Sequence, residues 1–170
     1  MCRIFTRSTD IFSARAGKSR SCASASIPRP PSRIGSTRDN TLKSVERIAL
    51  GNGYDSFLMF NVYAQRATRP NDMERVCNEA LHRANMEAFD YILSLSEQPA
   101  VWAAWGNIIE QRAYLKDCLA DMIAIGERHG AQWYTAGRRS VKGHPHHPLY
   151  LKATSPLDAF DIRAYCAECL

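Results

Sequence analysis

Three short apolar runs constrain this chain more than any other feature: Ser56–Tyr63 (SFLMFNVY), Ala100–Trp105 (AVWAAW) and Gln132–Thr135 (QWYT). Each is too short for a buried helix and too continuous for a strand with one wet face. They read as strands covered on both faces. Helical periods lie between them. Leu42, Val45, Ile48 and Ala49 form one stripe that Asn52-Gly53 would end. Asn71 and Asn85 read as helix caps, the second ahead of a segment with Phe89, Ile92 and Leu93 on one side. Ile108–Arg128 is the longest helical stretch, with Leu115, Leu119, Met122 and Ile123 on its apolar face and Gly130 as its stop. Ser155-Pro156 reads as the start of a last helix. Strands alternating with helices predict an α/β fold, a three-layer sandwich around a short, mainly parallel sheet.

Residues 1–36 have another character. They are rich in Arg and Ser and show no apolar period, as in a disordered arm or a transit peptide; no continuous apolar stretch suits a secretory signal. The predicted division is an arm over 1–36 and a single α/β domain over 37–170. Residues 1–40 carry eight Lys/Arg against Asp10 and Asp39, so the remainder holds a balance of −1 within the net +5. The basicity thus belongs to the N-terminus and does not mark the whole chain as nucleic-acid-seeking. No apolar run approaches the roughly 18 residues of a membrane span, so no membrane partner is expected. Six cysteines are scattered through long helical patterns, unlike a disulfide scaffold. Cys166-x-x-Cys169 has no second pair to complete a zinc site, and it ends the chain where a redox pair would be expected at a helix N-terminus after a strand. Reduced thiols in a cytoplasmic setting are expected.

Ligands of open α/β sheets sit outside the carboxyl ends of the strands, so the residues leaving each strand are the candidates. After the first run come Asn61, whose amide matches a nucleobase edge, and Arg66, Thr68 and Arg69, suited to phosphate or carboxylate. A polar loop capping its own backbone is the plainer reading. Trp105-Gly106-Asn107 follows the second run; its glycine permits close backbone approach, or serves a tight turn beside a core tryptophan. The third segment, Gly137–Tyr150, holds Arg138, Arg139, Lys142, His144, His146, His147 and Tyr150. Pro145 and Pro148 keep its backbone extended, so the imidazoles diverge and a loop aiming one histidine into a cleft is favoured over a metal site. No metal and no cofactor is implied.

These segments, with Asp39-Asn40-Thr41, Asn61–Pro70 (NVYAQRATRP), Ala103-Ala104-Trp105-Gly106 and Gly143–Leu151 (GHPHHPLYL) in order, resemble a bacterial and phage family, domain of unknown function 1643. That family's layout is in turn similar to the uracil-DNA glycosylases. The likeness implies that Asn61, ending Leu58-Met59-Phe60-Asn61, reads a base edge and that His147, in His147-Pro148-Leu149, stabilises a departing base. Arg66, Thr68, Trp105, Gly106, Asn107, His144 and Tyr150 would line the ligand, and Arg69, Arg138, Arg139 and Lys142 would hold phosphates. The implied partner is a nucleotide or nucleic acid, and the implied chemistry N-glycosidic hydrolysis. No Asp or Glu adjoins Asn61, Trp105 or His147 in sequence to act as general base, which favours a non-catalytic binding module.

One family segment is missing. The relatives carry an apolar first strand ending in Asn-Pro-Ser-Thr-Ala, where this chain has Ser21–Pro31 (SCASASIPRPP). Reading permitted codons for these residues one phase over yields an apolar strand followed by that pentapeptide. The first strand is therefore expected to be missing or garbled by a frameshift, leaving the chain poorly stable and inactive.

Overall fold

The computed structural model describes residues 3–6, 37–54, 56–65 and 70–170, with side chains described outside 3–6, 37–39 and 70. Strands and helices follow as β1 (Arg3–Thr6), α1 (Thr37–Gly51), β2 (Leu58–Asn61), α2 (Glu79–Ser94), β3 (Ala100–Ala103), α3 (Tyr114–Arg128), β4 (Gln132–Ala136), β5 (Leu157–Ala159) and α4 (Ile162–Cys169). Each predicted apolar run contains a strand, and the fold is mixed α/β.

The sheet order is β2-β1-β3-β4-β5. Among the described strands only β3 and β4 pair in parallel, Val101 opposite Trp133; β1 is antiparallel to both β2 and β3, and β5 to β4. The mainly parallel sheet expected from sequence is thus corrected to a mixed one. β5 is antiparallel because the chain leaving β4 turns back at the same edge. Since β1 opposes both its neighbours, β2, β3 and β4 nevertheless run in one direction, with their carboxyl ends at one edge. Residues 3–6 of the arm supply β1, an inner strand between β2 and β3. Four residues are too few to show a period. Ser21–Pro31 lies outside the described residues.

The sheet is covered on both faces, as a three-layer arrangement requires. Alternation sends Val101 and Ala103 to one side, with Trp133, Phe89 and Leu93 of α2, Leu115, Leu119 and Met122 of α3, and Tyr165 of α4. Trp102, Ala104 and Ala136 face the other way, against Val45 and Ile48 of α1. Each fully buried side chain of this kind contributes about 1.5–3 kcal/mol from water exclusion.

Three local expectations are corrected. The cap of α2 is Asn78, which accepts from the Leu81 N–H, and Asn85 lies within that helix. Ser155-Pro156 precedes β5, where pairing with β4 overrides the helix-start signal; Asp161 caps α4 instead, accepting from the Ala164 N–H. The long helix breaks into a 3-10 turn, Gly106–Glu110, ahead of α3. Three residues per turn place Asn107 and Glu110 on one face of it, where both bond to the loop after β4.

Candidate functional site

The carboxyl edge of the sheet gathers the chain segments leaving β2, β3 and β4. Arg3 stands opposite Asn61 and Ile4 opposite Ala103, so Asn61 and the Ala104–Gly106 corner leave the sheet at the same level, two strands apart. That separation is about 10 Å. Asn61 is half-buried, and its carbonyl accepts from Asn85 Nδ2 at 2.9 Å, which ties the end of β2 to α2. Arg66, Thr68 and Arg69 lie outside the described residues.

Gly106 joins the second and third segments. Its φ is +64°, it donates to the Pro145 carbonyl at 2.9 Å, and a Cβ there would stand 3.3 Å from His147 Cβ. The glycine therefore admits the His-Pro segment against the corner, and its N–H is committed within the protein. Trp105 is fully buried among aromatic neighbours, so it supports the rim from below.

The loop after β4 closes on itself. The Ser140 N–H donates to the His144 carbonyl at 2.8 Å, and the His144 N–H donates to Ser140 Oγ at 3.2 Å. Ser140 Oγ reaches Asn107 Oδ1 at 2.7 Å. His144, only 2% exposed, is held at both ring nitrogens: Nδ1 lies 2.9 Å from Tyr165 Oη and Nε2 lies 3.1 Å from Glu110 Oε1. Trp105 Nε1 donates to the same Tyr165 oxygen at 2.9 Å. One allotment satisfies all these atoms: the indole donates to the phenol, the phenol to Nδ1, and Nε2–H to Glu110. Every donor then points outward along a line from the core to one carboxylate. Lys142 Nζ holds the other oxygen of Glu110. The Lys142 and His144 hydrogen bonds keep the Glu110 carboxyl below the usual glutamate range.

The remaining candidates sit around this line. His147 is half-buried, and its Nδ1 accepts from the Leu149 N–H at 3.4 Å; its ring meets that of exposed Tyr150, centroids 6.2 Å apart. Arg139 pairs with Glu168 at 2.8 Å and Lys142 with Glu110, so two of the four expected phosphate cations are engaged with carboxylates. Arg138 is exposed. Thr135, 9% exposed near the end of β4, has a hydroxyl with no partner among the described residues. Gly106, Asn107, His144 and His147 are thus brought together. Asn61 shares their edge, and Trp105 backs them from the core.

Sequence reasoning missed Glu110 and Tyr165. Both reach His144 only through folding, from 34 and 21 residues away. It also missed Arg112, whose guanidinium binds the carbonyls of Asn71, Met73 and Glu74 and holds the segment before α2. Its one signal was an Arg placed directly ahead of a helix. Among the described residues, no three His, Cys, Asp or Glu side chains cluster to hold a metal ion. Cys77, Cys118, Cys166 and Cys169 are free thiols; burial raises Cys166, and Cys118 is pushed up to about 12 by burial and by Cys77 beside it. Among the described residues, no helix is long and apolar enough to cross a membrane.

A family model described as protein of unknown function (DUF1643) matches residues 17–149, a span that contains the whole rim from Asn61 to Leu149. No curated protein and no solved structure matches the chain.

Proposed function

This chain belongs to the family described as protein of unknown function (DUF1643), and on that premise we propose that its carboxyl-edge rim recognises a nucleobase, as a nucleotide or within nucleic acid. The supporting observation is the convergence at one edge of an amide at Asn107, a carboxylate at Glu110 and the Gly106-braced His147, with Asn61 at the same level. A side-by-side set of donors and acceptors suits a base edge, and exposed Arg138 suits a phosphate. The uracil-DNA-glycosylase-like layout belongs to the same proposal: β2, β3 and β4 are co-directed, and the His-Pro segment follows β4.

Binding without hydrolysis is the version favoured by Glu110. A carboxylate held ionised by a lysine and a histidine is a weak proton acceptor, so it serves recognition better than water activation.

The test is a titration of the full chain with nucleoside monophosphates and short single-stranded DNA, followed through backbone amide signals. Shifts should concentrate at Asn61, Gly106, Asn107 and His147; shifts confined elsewhere, or none, defeat the proposal. A base-release assay on single- and double-stranded DNA with damaged bases, run beside His147→Ala, separates the two versions. Product lost in the variant supports hydrolysis through His147.

A further inference from the structure

The carboxylate of Glu110 is held by a hydrogen-bond line whose inner end is an indole. Trp105 N–H can only donate, so no proton can be relayed past it, and the line acts to orient its outer end. Glu110 offers about four acceptor positions on its two oxygens. His144 takes one and Lys142 another, leaving one on each oxygen, and the side chain is 35% exposed. Its free capacity is therefore two adjacent acceptors facing solvent, with no donor.

Asn107 complements it. Ser140 receives the His144 N–H on its hydroxyl oxygen and directs its own proton to Asn107 Oδ1. That fixes the amide so that Nδ2–H₂ is the group left for a ligand. Asn107 is exposed and stands three residues before Glu110 in a 3-10 turn, so the two share a face about 6 Å apart along the axis. The face thus presents a donor followed by a pair of acceptors.

Resting on the proposed nucleobase recognition, we infer that Glu110 and Asn107 select a guanine-type edge. Guanine carries, in order, a carbonyl oxygen, a ring N–H and an exocyclic amine. Its carbonyl meets the Asn107 amide, and its two adjacent donors meet the two free positions of Glu110. Adenine and cytosine each present a ring acceptor beside their amine, which would face the carboxylate with lone pair against lone pair. Hypoxanthine keeps the ring N–H but lacks the amine, so it isolates the second bond.

The experiment titrates the full chain with guanosine, inosine and adenosine 5′-monophosphates by ligand-observed NMR, for the natural chain and for Glu110→Gln and Lys142→Met. The natural chain should bind the guanine nucleotide about tenfold or more tightly than the inosine one, as expected for a hydrogen bond to a charged acceptor. Glu110→Gln should erase that preference. Lys142→Met removes the same ion pair but leaves the carboxylate, so it should keep the preference and separates recognition from stability. A preference unchanged in Glu110→Gln, or equal affinity of the natural chain for guanine and inosine nucleotides, overturns the inference while nucleotide recognition stands. Failure of all three nucleotides to bind the natural chain overturns both.

Discussion

The two halves of the sheet are held together differently. In the β3–β4 half the strands pair in parallel, are joined by α3 and rest on Leu115, Leu119 and Met122, all at most 1% exposed. This half carries Trp105, Gly106 and the Ser140–His147 loop. In the other half the only sheet neighbour of β2 among the described residues is β1, a four-residue strand that lies 30 residues ahead of α1 and runs against both its partners. The Gly106–His147 rim therefore sits on the half whose strands pair with each other directly. The placement of Asn61 depends on a strand from the far end of the sequence, with help from α2 through Asn85 and the Phe60–Phe89 ring contact.

The largest effect should follow from breaking that dependence. Removing residues 1–6 strips the ladder from facing edges of β2 and β3 and exposes their backbone groups. The loss should reach the total stability of a domain, about 5–15 kcal/mol, and abolish cooperative unfolding. Circular-dichroism melting of the truncated chain reads it; an unchanged melt would show that β1 does not bridge β2 and β3. The same slot gives a test of opposite sign. β2, β3 and β4 run together, so a strand parallel to them suits the place between β2 and β3 better than β1 does. Re-encoding residues 21–31 in the neighbouring phase, to restore an apolar strand and Asn-Pro-Ser-Thr-Ala, should raise the melting temperature by about 10 °C, a gain of a few kcal/mol. A fall would remove the frameshift proposal.

Phe89→Ala tests the brace between α2 and the β2 half. The ring is fully buried and meets Phe60 edge-on at 5.3 Å. Its removal should cost about 3–5 kcal/mol through lost transfer energy and the cavity left behind. On the β3–β4 half, Gly126 lies against the Trp133 ring, where a Cβ would come within 2.8 Å of Cζ2. Gly126→Ala should destabilise by about 1–3 kcal/mol, because buried Trp133 has little room to yield. Denaturant titration measures both. A smaller cost for Phe89→Ala than for Gly126→Ala would reverse the ranking of the halves.

How much of this was legible in sequence depended on how local each signal was. The runs around Met59, Trp102 and Trp133 announced three strands because buried strands are apolar without interruption. Their shared carboxyl edge followed from alternation with helices. β1 was hidden because Arg3–Thr6 is four residues long and gains its strand character only by pairing with Phe60 and Ala103. β5 was hidden for the same reason, since Ser155-Pro156 is a sound helix start that pairing with β4 overrules. In the site, Gly106 and the Pro-braced histidines were visible as local punctuation. Glu110 and Tyr165 were not, because an exposed-looking glutamate and a helical tyrosine carry no mark until folding brings both to His144. His144 itself, one of three clustered imidazoles, was separable from His147 only by burial.

The smallest effect concerns Tyr63, just past β2. Its hydroxyl donates to Glu74 Oε2 and accepts the Asn78 N–H, both at 2.9 Å, pinning the segment between β2 and α2. Tyr63→Phe should cost about 1 kcal/mol near neutral pH, the net worth of a hydrogen bond. Burial, with lesser help from Glu74, pushes the phenol up to about 12. In the unfolded chain it ionises near the ordinary value of about 10. The neutral phenol is thus the folded form's preference, and its contribution is complete below pH 10 and lost as pH rises toward 12. Other ionisations are common to both proteins and cancel in the difference. The stability gap between natural chain and variant, followed by urea titration, should therefore hold constant to pH 10 and narrow above it. A gap that stays level to pH 12 would mean that the phenol is no more protected from ionisation than in the unfolded chain.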